Sequence, residues 1–395
     1  MIPRTLAKEL TLAATEYPVV TLLGARQVGK TTLVREIFPE KPWVSLEDMD
    51  VRVRAETDPR AFLNQYAGGA IFDEVQRLPL LLSYLQGLVD LQGQPGRFVL
   101  TGSHQPRLQE AISQSLAGRT AVLNLWPLTM EEMRAHPPFP ATSFDCMLRG
   151  GYPRVVAQSL DIRRFYNGYL QTYVERDVRA LIQVRNLSLF QKFLTLLAGR
   201  VGQLLNLSSL ANDVGVSATT LREWISVLKS SFLIFELIPF YENVSRRLVK
   251  SSKIFFADVG MVCHLLGIHS VSQLERDPLR GSLYENFMIA EVMKSMVHGG
   301  QHPELFFYRD SHGVEVDLVI RHNGSFVPIE IKSSSTFSPE FIKGILQFRR
   351  QLDRSPVQVL AAVKKCVNMA YPDGCGETRI LGTNKGAVTG PWFCA

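Results

Sequence analysis

With 395 residues, 46% of them hydrophobic and 20% charged, the chain has material for two or three domains with ordinary cores. That excludes a disordered or fibrous protein. The start, Met1-Ile2-Pro3-Arg4-Thr5-Leu6-Ala7-Lys8-Glu9-Leu10, lacks the apolar segment of a secretory leader, and no uninterrupted apolar run approaches a membrane span. The expectation is a cytoplasmic protein with no membrane partner. Its five cysteines, Cys146, Cys263, Cys366, Cys375 and Cys394, are scattered and odd in number, which argues for reduced thiols and against a disulfide frame or a zinc site. The net charge of +6 is unevenly placed: residues 1–150 carry −1 and the remainder +7. A polyanionic partner is therefore expected on the C-terminal two-thirds, with a generally basic surface as the alternative.

The apolar run Pro18-Val19-Val20-Thr21-Leu22-Leu23 leads into Gly24-Ala25-Arg26-Gln27-Val28-Gly29-Lys30-Thr31, which opens a helical pattern at Thr32-Leu33-Val34. This is G-x-x-x-x-G-K-[ST] between a strand and a helix, the context in which the motif binds phosphate. Backbone N–H groups of the loop and the helix N-terminus would surround the phosphate chain of ATP. Lys30 would reach its β- and γ-phosphates, and the Thr31 hydroxyl would hold Mg²⁺. Further strands are predicted at 42–46, 69–73, 97–101 and 120–125, with helical patterns between them: a parallel α/β sheet with crossover helices.

Counted from the strand at 18–23, the third ends in Asp73-Glu74. Asp73 would be the Mg²⁺-linked acid and Glu74 the residue that orients or deprotonates the attacking water. The fourth runs into Thr101-Gly102-Ser103, and Ser103 is the choice for a polar group that touches the γ-phosphate or that water. Arg119 would stabilise transition-state charge, in cis or across a subunit boundary, or else form a structural salt bridge. His136-Pro137-Pro138-Phe139-Pro140 resembles a linker.

Helical patterns dominate from 160 to about 235. Within them, 207–228 has a helix, a short turn at Val214-Gly215-Val216 and a second helix capped by Ser217, the spacing of a helix-turn-helix. Phe232-Leu233-Ile234-Phe235 would be the wing strand that follows. Near the C-terminus, Phe306-Phe307-Tyr308-Arg309, 314–320 and 326–332 are predicted strands. Asp317 and Glu330 then fall on neighbouring strands of a hairpin, and alternation puts Glu330 and Lys332 on one face. Two carboxylates beside a lysine can hold Mg²⁺ and poise a water for phosphodiester attack, with Glu285 upstream as a further ligand. The alternative is an exposed hairpin with a cross-strand ion pair.

Taken together, Gly24–Thr32, Phe72-Asp73-Glu74-Val75-Gln76, Leu100-Thr101-Gly102-Ser103 and Ser115-Leu116-Ala117-Gly118-Arg119 resemble the AAA-type ATPase domain of a large group of prokaryotic proteins, in which it is fused to a domain of unknown function called DUF4143. Gly150-Gly151-Tyr152-Pro153, Thr172-Tyr173-Val174-Glu175-Arg176-Asp177, Tyr308-Arg309-Asp310, Glu315-Val316-Asp317 and Ile329-Glu330-Ile331-Lys332 resemble the second part. The resemblance covers about residues 1–350; the tail after about 365, rich in Gly and Cys, adds nothing to it. It implies an α/β fold: a P-loop AAA-like parallel-sheet domain (1–148), a helical and winged-helix middle (149–248), and a restriction-endonuclease-like C-terminal domain of the PD-(D/E)xK type (249–395). Glu285, Asp317, Glu330 and Lys332 match the acidic and lysine positions of that last fold, and Gln347 a helical position sometimes used in it. The expected function is a Mg²⁺-dependent ATPase, a homo-oligomer, acting on or gated by nucleic acid, DNA in preference, with DNA cleavage as a further activity. The alternative is a STAND-like nucleotide-dependent switch whose C-terminal domain binds a partner without cleaving it.

Overall fold

Every residue of Val19–Gly24 is buried, as a parallel strand covered on both faces requires, and this is why the run is continuously apolar instead of alternating. The computed structural model describes residues 2–91, 93–103, 106–158, 160–174, 186–240, 251–310, 312–322, 324–334, 338–351 and 361–364. The first sheet contains β1 (Val19–Gly24), β2 (Trp43–Ser45), β3 (Ala70–Asp73), β4 (Phe98–Gly102) and β5 (Thr120–Leu125), all parallel, in the order β2-β3-β4-β1-β5. Helices α1 (Ala7–Glu16), α2 (Lys30–Ile37), α3 (Met49–Thr57), α4 (Pro59–Asn64), α5 (Leu81–Leu91) and α6 (Pro106–Ser115) precede or connect its strands. The order matters for chemistry. β4 lies between β1 and β3, so the carboxyl ends of all three open onto one crevice.

Five shorter helices or turns lead away from this sheet: α7 (Met130–Arg134), α8 (Ser143–Arg149), α9 (Pro153–Gln158), α10 (Ile162–Tyr169) and a π-turn at Leu170–Val174. Next comes α11 (Leu187–Ala198), against which α12 (Leu207–Val214) and α13 (Ala218–Ser230) form the expected pair of helices. Gly215 ends α12 in the left-handed region at φ +92°, and the Ser217 hydroxyl caps α13 by accepting from Thr220 N–H at 3.0 Å. Trp224 of α13 packs edge-on to Phe190 and tilted against Phe193 of α11.

The strand expected as a wing behaves differently. Phe232 is in a turn at φ +57°, and the strand that follows, β6 (Ile234–Pro239), is an inner member of a second sheet. That sheet adds β7 (Lys253–Phe256), β8 (Leu305–Arg309), β9 (Glu315–His322), β10 (Ser325–Lys332) and β11 (Ala361–Lys364), in the order β11-β10-β9-β8-β6-β7. β6 pairs antiparallel with β7 and parallel with β8; β8, β9 and β10 form an antiparallel meander, and β11 joins β10 in parallel. Burial explains the outcome: an apolar run with no solvent face, Leu233 to Phe235, belongs inside a sheet. The boundary expected at 248–249 thus falls between two hydrogen-bonded strands. Helices α14 (Val259–Leu265), α15 (Val271–Arg276), α16 (Arg280–His298) and α17 (Lys343–Gln351) complete the chain. The segment 175–185, with part of the Thr172–Asp177 motif, and the tail after 365 lie outside the described residues.

One apolar core joins both sheets. Trp126, just past β5, meets Phe232 and Phe235 edge-on at 5.6 and 5.7 Å between ring centroids. Asp258 fastens three segments: its carboxylate accepts from Gly151 N–H (2.6 Å), the Tyr166 hydroxyl (2.6 Å) and Met261 N–H (3.0 Å). Gly150, at φ +74°, has no room for a side chain, since a Cβ would stand 2.0 Å from the Tyr166 hydroxyl. Asp258→Ala leaves the buried Gly151 and Met261 amides without their side-chain acceptor and turns the Tyr166 hydroxyl to the Arg149 carbonyl alone, so a loss of about 3 kcal/mol is expected in urea unfolding. A loss under about 0.5 kcal/mol would show the carboxylate to be dispensable.

Candidate functional site

Gly24 ends β1 where a Cβ would stand 2.2 Å from the Leu125 carbonyl oxygen, so glycine alone fits there. The loop then turns through positive φ at Gln27 (60°) and Gly29 (94°). Gly29 precedes α2 without a side-chain cap, leaving the first-turn N–H groups for a ligand. Around the loop, Ala25 and Val28 are buried, Arg26 and Gln27 half-buried, and Thr32 exposes its side chain in the first turn of α2. Lys30 is buried and its Nζ donates to the carbonyls of Gly24 (3.0 Å) and Ala25 (2.8 Å). The Thr31 hydroxyl donates to the Asp73 carboxylate at 3.0 and 3.2 Å, and the Thr101 hydroxyl donates to the same carboxylate. Hydroxyl and carboxylate oxygens converging beside a phosphate loop fit a Mg²⁺ ion bridged to phosphate.

Glu74 follows Asp73 in the left-handed region (φ 59°, ψ 44°), a conformation rare for a residue with a side chain. Its carboxylate accepts from Gln76 Nε2, and Gln76 Oε1 accepts from Ser103 N–H at 3.2 Å. Ser103 is buried and its Oγ has no hydrogen-bond partner. The structure thus brings Lys30, Thr31, Asp73, Glu74 and Ser103 to one end of the sheet. Arg119 is not among them. Its carbonyl accepts from Val19 N–H, at the opposite end of β1, and six residues of strand at about 3.3 Å each separate it from the loop. Its guanidinium grips Asp90 at 2.5 and 3.0 Å on the surface. The cis role expected of Arg119 does not fit this placement, and the salt-bridge alternative describes it.

Sequence reading missed what holds the loop in place. Arg4, 9% exposed, donates to the Val28 carbonyl and to the Trp126 carbonyl, both at 2.7 Å. Tyr169 donates to the Arg26 carbonyl at 3.4 Å. Arg4 Nε lies 3.1 Å from Glu132, whose carboxylate also faces His298 Nδ1 at 3.3 Å. Burial alone would push the Glu132 carboxyl up, but the facing His298 Nδ1–H, the Arg4 charge and the Thr129 N–H outweigh it and hold it well below the usual range. His298 Nε2 accepts from Trp126 N–H at 3.1 Å, so the ring is neutral with its proton on Nδ1. Burial, which outweighs Glu132, lowers its basicity in the same sense.

The second constellation lies on the meander. Asp317 (β9) accepts from Ile331 N–H at 2.8 Å and from Lys332 Nζ at 3.3 Å, and Lys332 Nζ stands 2.5 Å from Glu330. Glu330 Oε2 is buried without a hydrogen-bond partner, an orphaned acceptor that fits a cation. Glu285, on α16, pairs with Lys253 at 3.0 Å, and Lys253, 3% exposed, also meets Glu315 at 2.5 Å. Lys253 on β7 carried no signal in the sequence: it lies 32 residues from Glu285 and belongs to no motif. Gln347 donates to Asp310 at 2.8 Å and not to this group, and Asp310 in turn accepts from His312 and Val314 N–H groups as a turn residue. Among the described residues, no three His, Cys, Asp or Glu side chains are arranged to hold a metal; lysine ammoniums stand between the carboxylates. Burial is the main cause that pushes Glu285 up to about 7, against Lys253 and with Asp317 and Glu315. Burial likewise, with Asp317 and against Lys332, pushes Glu330 up to about 7.

Residues 16–134 match the family described as an AAA domain, 142–272 a domain of unknown function (DUF8612), and 280–371 the domain of unknown function DUF4143. An uncharacterized protein of Mycobacterium tuberculosis is 32% identical over 336 residues, 84% of this chain and 74% of the relative. One from Methanocaldococcus jannaschii is 24% identical over 319 residues, 68% of this chain and 66% of the relative. Among solved structures, a Walker-type ATPase of Pyrococcus abyssi aligns at 16% identity and a TM-score of 0.44, over 67% of this chain and 96% of that one. The chain belongs to the family of AAA-domain proteins that carry DUF4143. No helix among the described residues is long and apolar enough to cross a membrane.

The raised carboxyls fix a pH dependence. A carboxyl near 7 in the fold and near 4.3 in the unfolded chain keeps its proton longer in the fold, so its contribution to stability is present below about pH 4.3 and is lost as pH rises to about 7. Glu330→Gln removes that loss. In urea unfolding the variant is expected to gain about 1–3 kcal/mol over the parent at pH 8 and nothing at pH 4.5. Equal effects at both pH values would show that titration of Glu330 is not the cause.

Proposed function

We propose that this protein is a Mg²⁺-dependent ATP hydrolase whose nucleotide cycle is coupled to a nucleic-acid-directed C-terminal half. The observation that carries the first part is the meeting of Thr31, Thr101 and Asp73 beside the glycine loop, with Lys30 at its base. In this reading, Lys30 leaves its carbonyl partners for the β- and γ-phosphates. Loop N–H groups hold the remaining phosphate oxygens. Thr31 and Asp73 would hold Mg²⁺, which, when bound, offsets phosphate charge. Glu74 accepts the proton of the attacking water, and Ser103 orients that water or the γ-phosphate. We further propose a homo-oligomer, in which Arg119 leaves Asp90 and completes a neighbour's site.

Lys30→Ala is expected to abolish nucleotide binding. Glu74→Gln is expected to bind ATP and lower kcat at least about 100-fold. Parental hydrolysis by Glu74→Gln would remove Glu74 from the mechanism. Mixing Arg119→Ala with Glu74→Gln subunits restores turnover if the arginine acts in trans; no recovery, with a monomer at working concentration, rejects the oligomer.

For the C-terminal half, the reading is a restriction-endonuclease-like domain that takes DNA. Support comes from the order of elements, α16, the β8-β9-β10 meander, α17 and parallel β11, and from the orphaned Glu330 oxygen. The positive surplus after residue 150 and the α12–α13 pair support a polyanionic partner. The rival, a STAND-like switch that binds without cutting, draws on one specific observation: Lys332 and Lys253 already pair with these carboxylates. The two are separated by incubating the protein with ATP, Mg²⁺ or Mn²⁺, and single-stranded, duplex or branched DNA. Cutting that is lost in Asp317→Ala while ATP turnover persists supports the nuclease. Intact DNA whose binding weakens steeply with salt supports the switch, and salt-insensitive binding or none rejects DNA as the partner.

A further inference from the structure

Gln76 lies two residues beyond Glu74, in the 3₁₀ turn Val75–Arg77, and is 9% exposed. Both ends of its amide are engaged. Nε2 donates to the Glu74 carboxylate, and Oε1 accepts from Ser103 N–H at 3.2 Å. The partners fix the orientation of the amide, since an ionised carboxylate only accepts and a backbone N–H only donates. Space at the end of β4 is kept for it: a Cβ at Gly102 would stand 2.6 Å from Gln76 Oε1 and 3.1 Å from the Leu108 side chain. The two groups that Gln76 joins both show strain or incompleteness. Glu74 holds a left-handed backbone, and the buried Ser103 Oγ lacks a partner. Such features persist where the surroundings force them, which is commonest at functional sites.

We infer that Gln76 is a positioning residue of ATP hydrolysis, which fixes the Glu74 carboxylate to the end of β4 so that the base and the Ser103 segment move as one body. A general base acts only within hydrogen-bond reach of its proton, and an unrestrained glutamate samples several rotamers that miss it. One amide that spans Glu74 and Ser103 removes that freedom. It also makes the placement of the base depend on the segment nearest the γ-phosphate. The inference rests on the reading of Glu74 as the base.

Two substitutions test it. Gln76→Met keeps length and bulk and removes both hydrogen bonds. Gln76→Glu is isosteric, keeps the acceptor for Ser103 N–H, and sets a second carboxylate against Glu74. Nucleotide affinity is measured with a fluorescent ATP analogue, and kcat is followed from pH 5.5 to 9. In Gln76→Met, affinity is expected to stay within about two-fold while kcat falls at least about 10-fold. In Gln76→Glu, the acidic limb of the kcat profile is expected to move to higher pH, because two carboxylates in contact resist ionising together. The deficit against the parent therefore shrinks as pH rises. A Gln76→Met kcat within about three-fold of the parent, or a Gln76→Glu profile parallel to the parent at every pH, overturns the inference. Should the methionine variant fail to fold, the isosteric Gln76→Glu profile decides. Glu74→Gln, run alongside, separates the two levels: parental turnover there overturns the base itself, whereas a dead Glu74→Gln with an unaffected Gln76→Met overturns only the role of Gln76.

Discussion

The buried carboxylate of Glu132 is the constraint on which the rest of this architecture depends. It accepts from Thr5 N–H at 2.8 Å and Thr129 N–H at 3.0 Å, and it faces Arg4 and His298. These groups come from the N-terminal segment, the start of α7 and the end of α16. A charge this deep is tolerated only when it is paired and hydrogen-bonded, and removal of one partner strands the other at a cost of about 3–5 kcal/mol. Arg4 carries the constraint further, because its other nitrogens hold the Val28 and Trp126 carbonyls. The phosphate loop is therefore seated on the same ion pair that seats α16. A second buried pair works beside it: Lys294 bonds Glu291 and the Leu128 carbonyl, and Glu291 accepts from Met130 N–H. The glycine loop and α16 are built into one packed unit.

The two ends of α16 differ in electrostatic completeness. At the His298 end, Glu132 finds enough donors to stay ionised. At the Glu285 end, four carboxyls meet three cations: Glu285, Glu315, Asp317 and Glu330 share Lys253 and Lys332, and Arg309 pairs with Glu315 at the exposed edge. Both lysines are made more basic, because the carboxylates outweigh the burial that opposes them. Glu285 and Glu330 stay protonated to about pH 7. A chain selected for stability alone has no reason to gather these groups, since the cost of burying ionisable groups can exceed what their pairing returns. Local conflict of this kind concentrates where a site does work.

What was legible in the sequence was local. The loop 24–31, the strand that ends in Asp73, and the meander around Asp317 and Glu330 each declare themselves within one continuous stretch of chain, by period and by turn chemistry. What was not legible depends on contacts across long sequence separations. Nothing near Arg4 marks it as a support of Val28, 24 positions on, or of Trp126, 122 positions on. Lys253 is an isolated lysine until the sheet sets it beside Glu285. The run 232–235 signalled a strand that in fact begins only at Ile234, and gave no sign of its neighbours, because apolar character reports burial and not pairing partner. Arg119 illustrates the converse. Its position in a motif pointed to the phosphates, whereas the parallel course of β1 and β5 fixes it at the far end of the sheet.

The strand order explains why the nucleotide site draws on three strands. With β4 inserted between β1 and β3, the Thr101 hydroxyl at its end reaches Asp73, and the next turn delivers Ser103 to Gln76. Any shift of β4 along its axis is therefore felt by both acids, Asp73 directly and Glu74 through the amide. The same geometry limits what the loop can do alone. Val28 cannot leave its place without breaking a 2.7 Å charge-assisted bond to Arg4, and Arg4 cannot follow without uncovering Glu132. About 20 Å of helix, at 1.5 Å per residue, connects His298 to Glu285. A helix packed along that whole length transmits displacement as a rigid rod, because close-packed cores deform little. A ligand shifts such a unit only by the difference in its contacts between two arrangements. In this fold, the Arg4–Val28 bond and its ion pair are one set of contacts that joins the loop to α16, beside the Trp126–His298 bond.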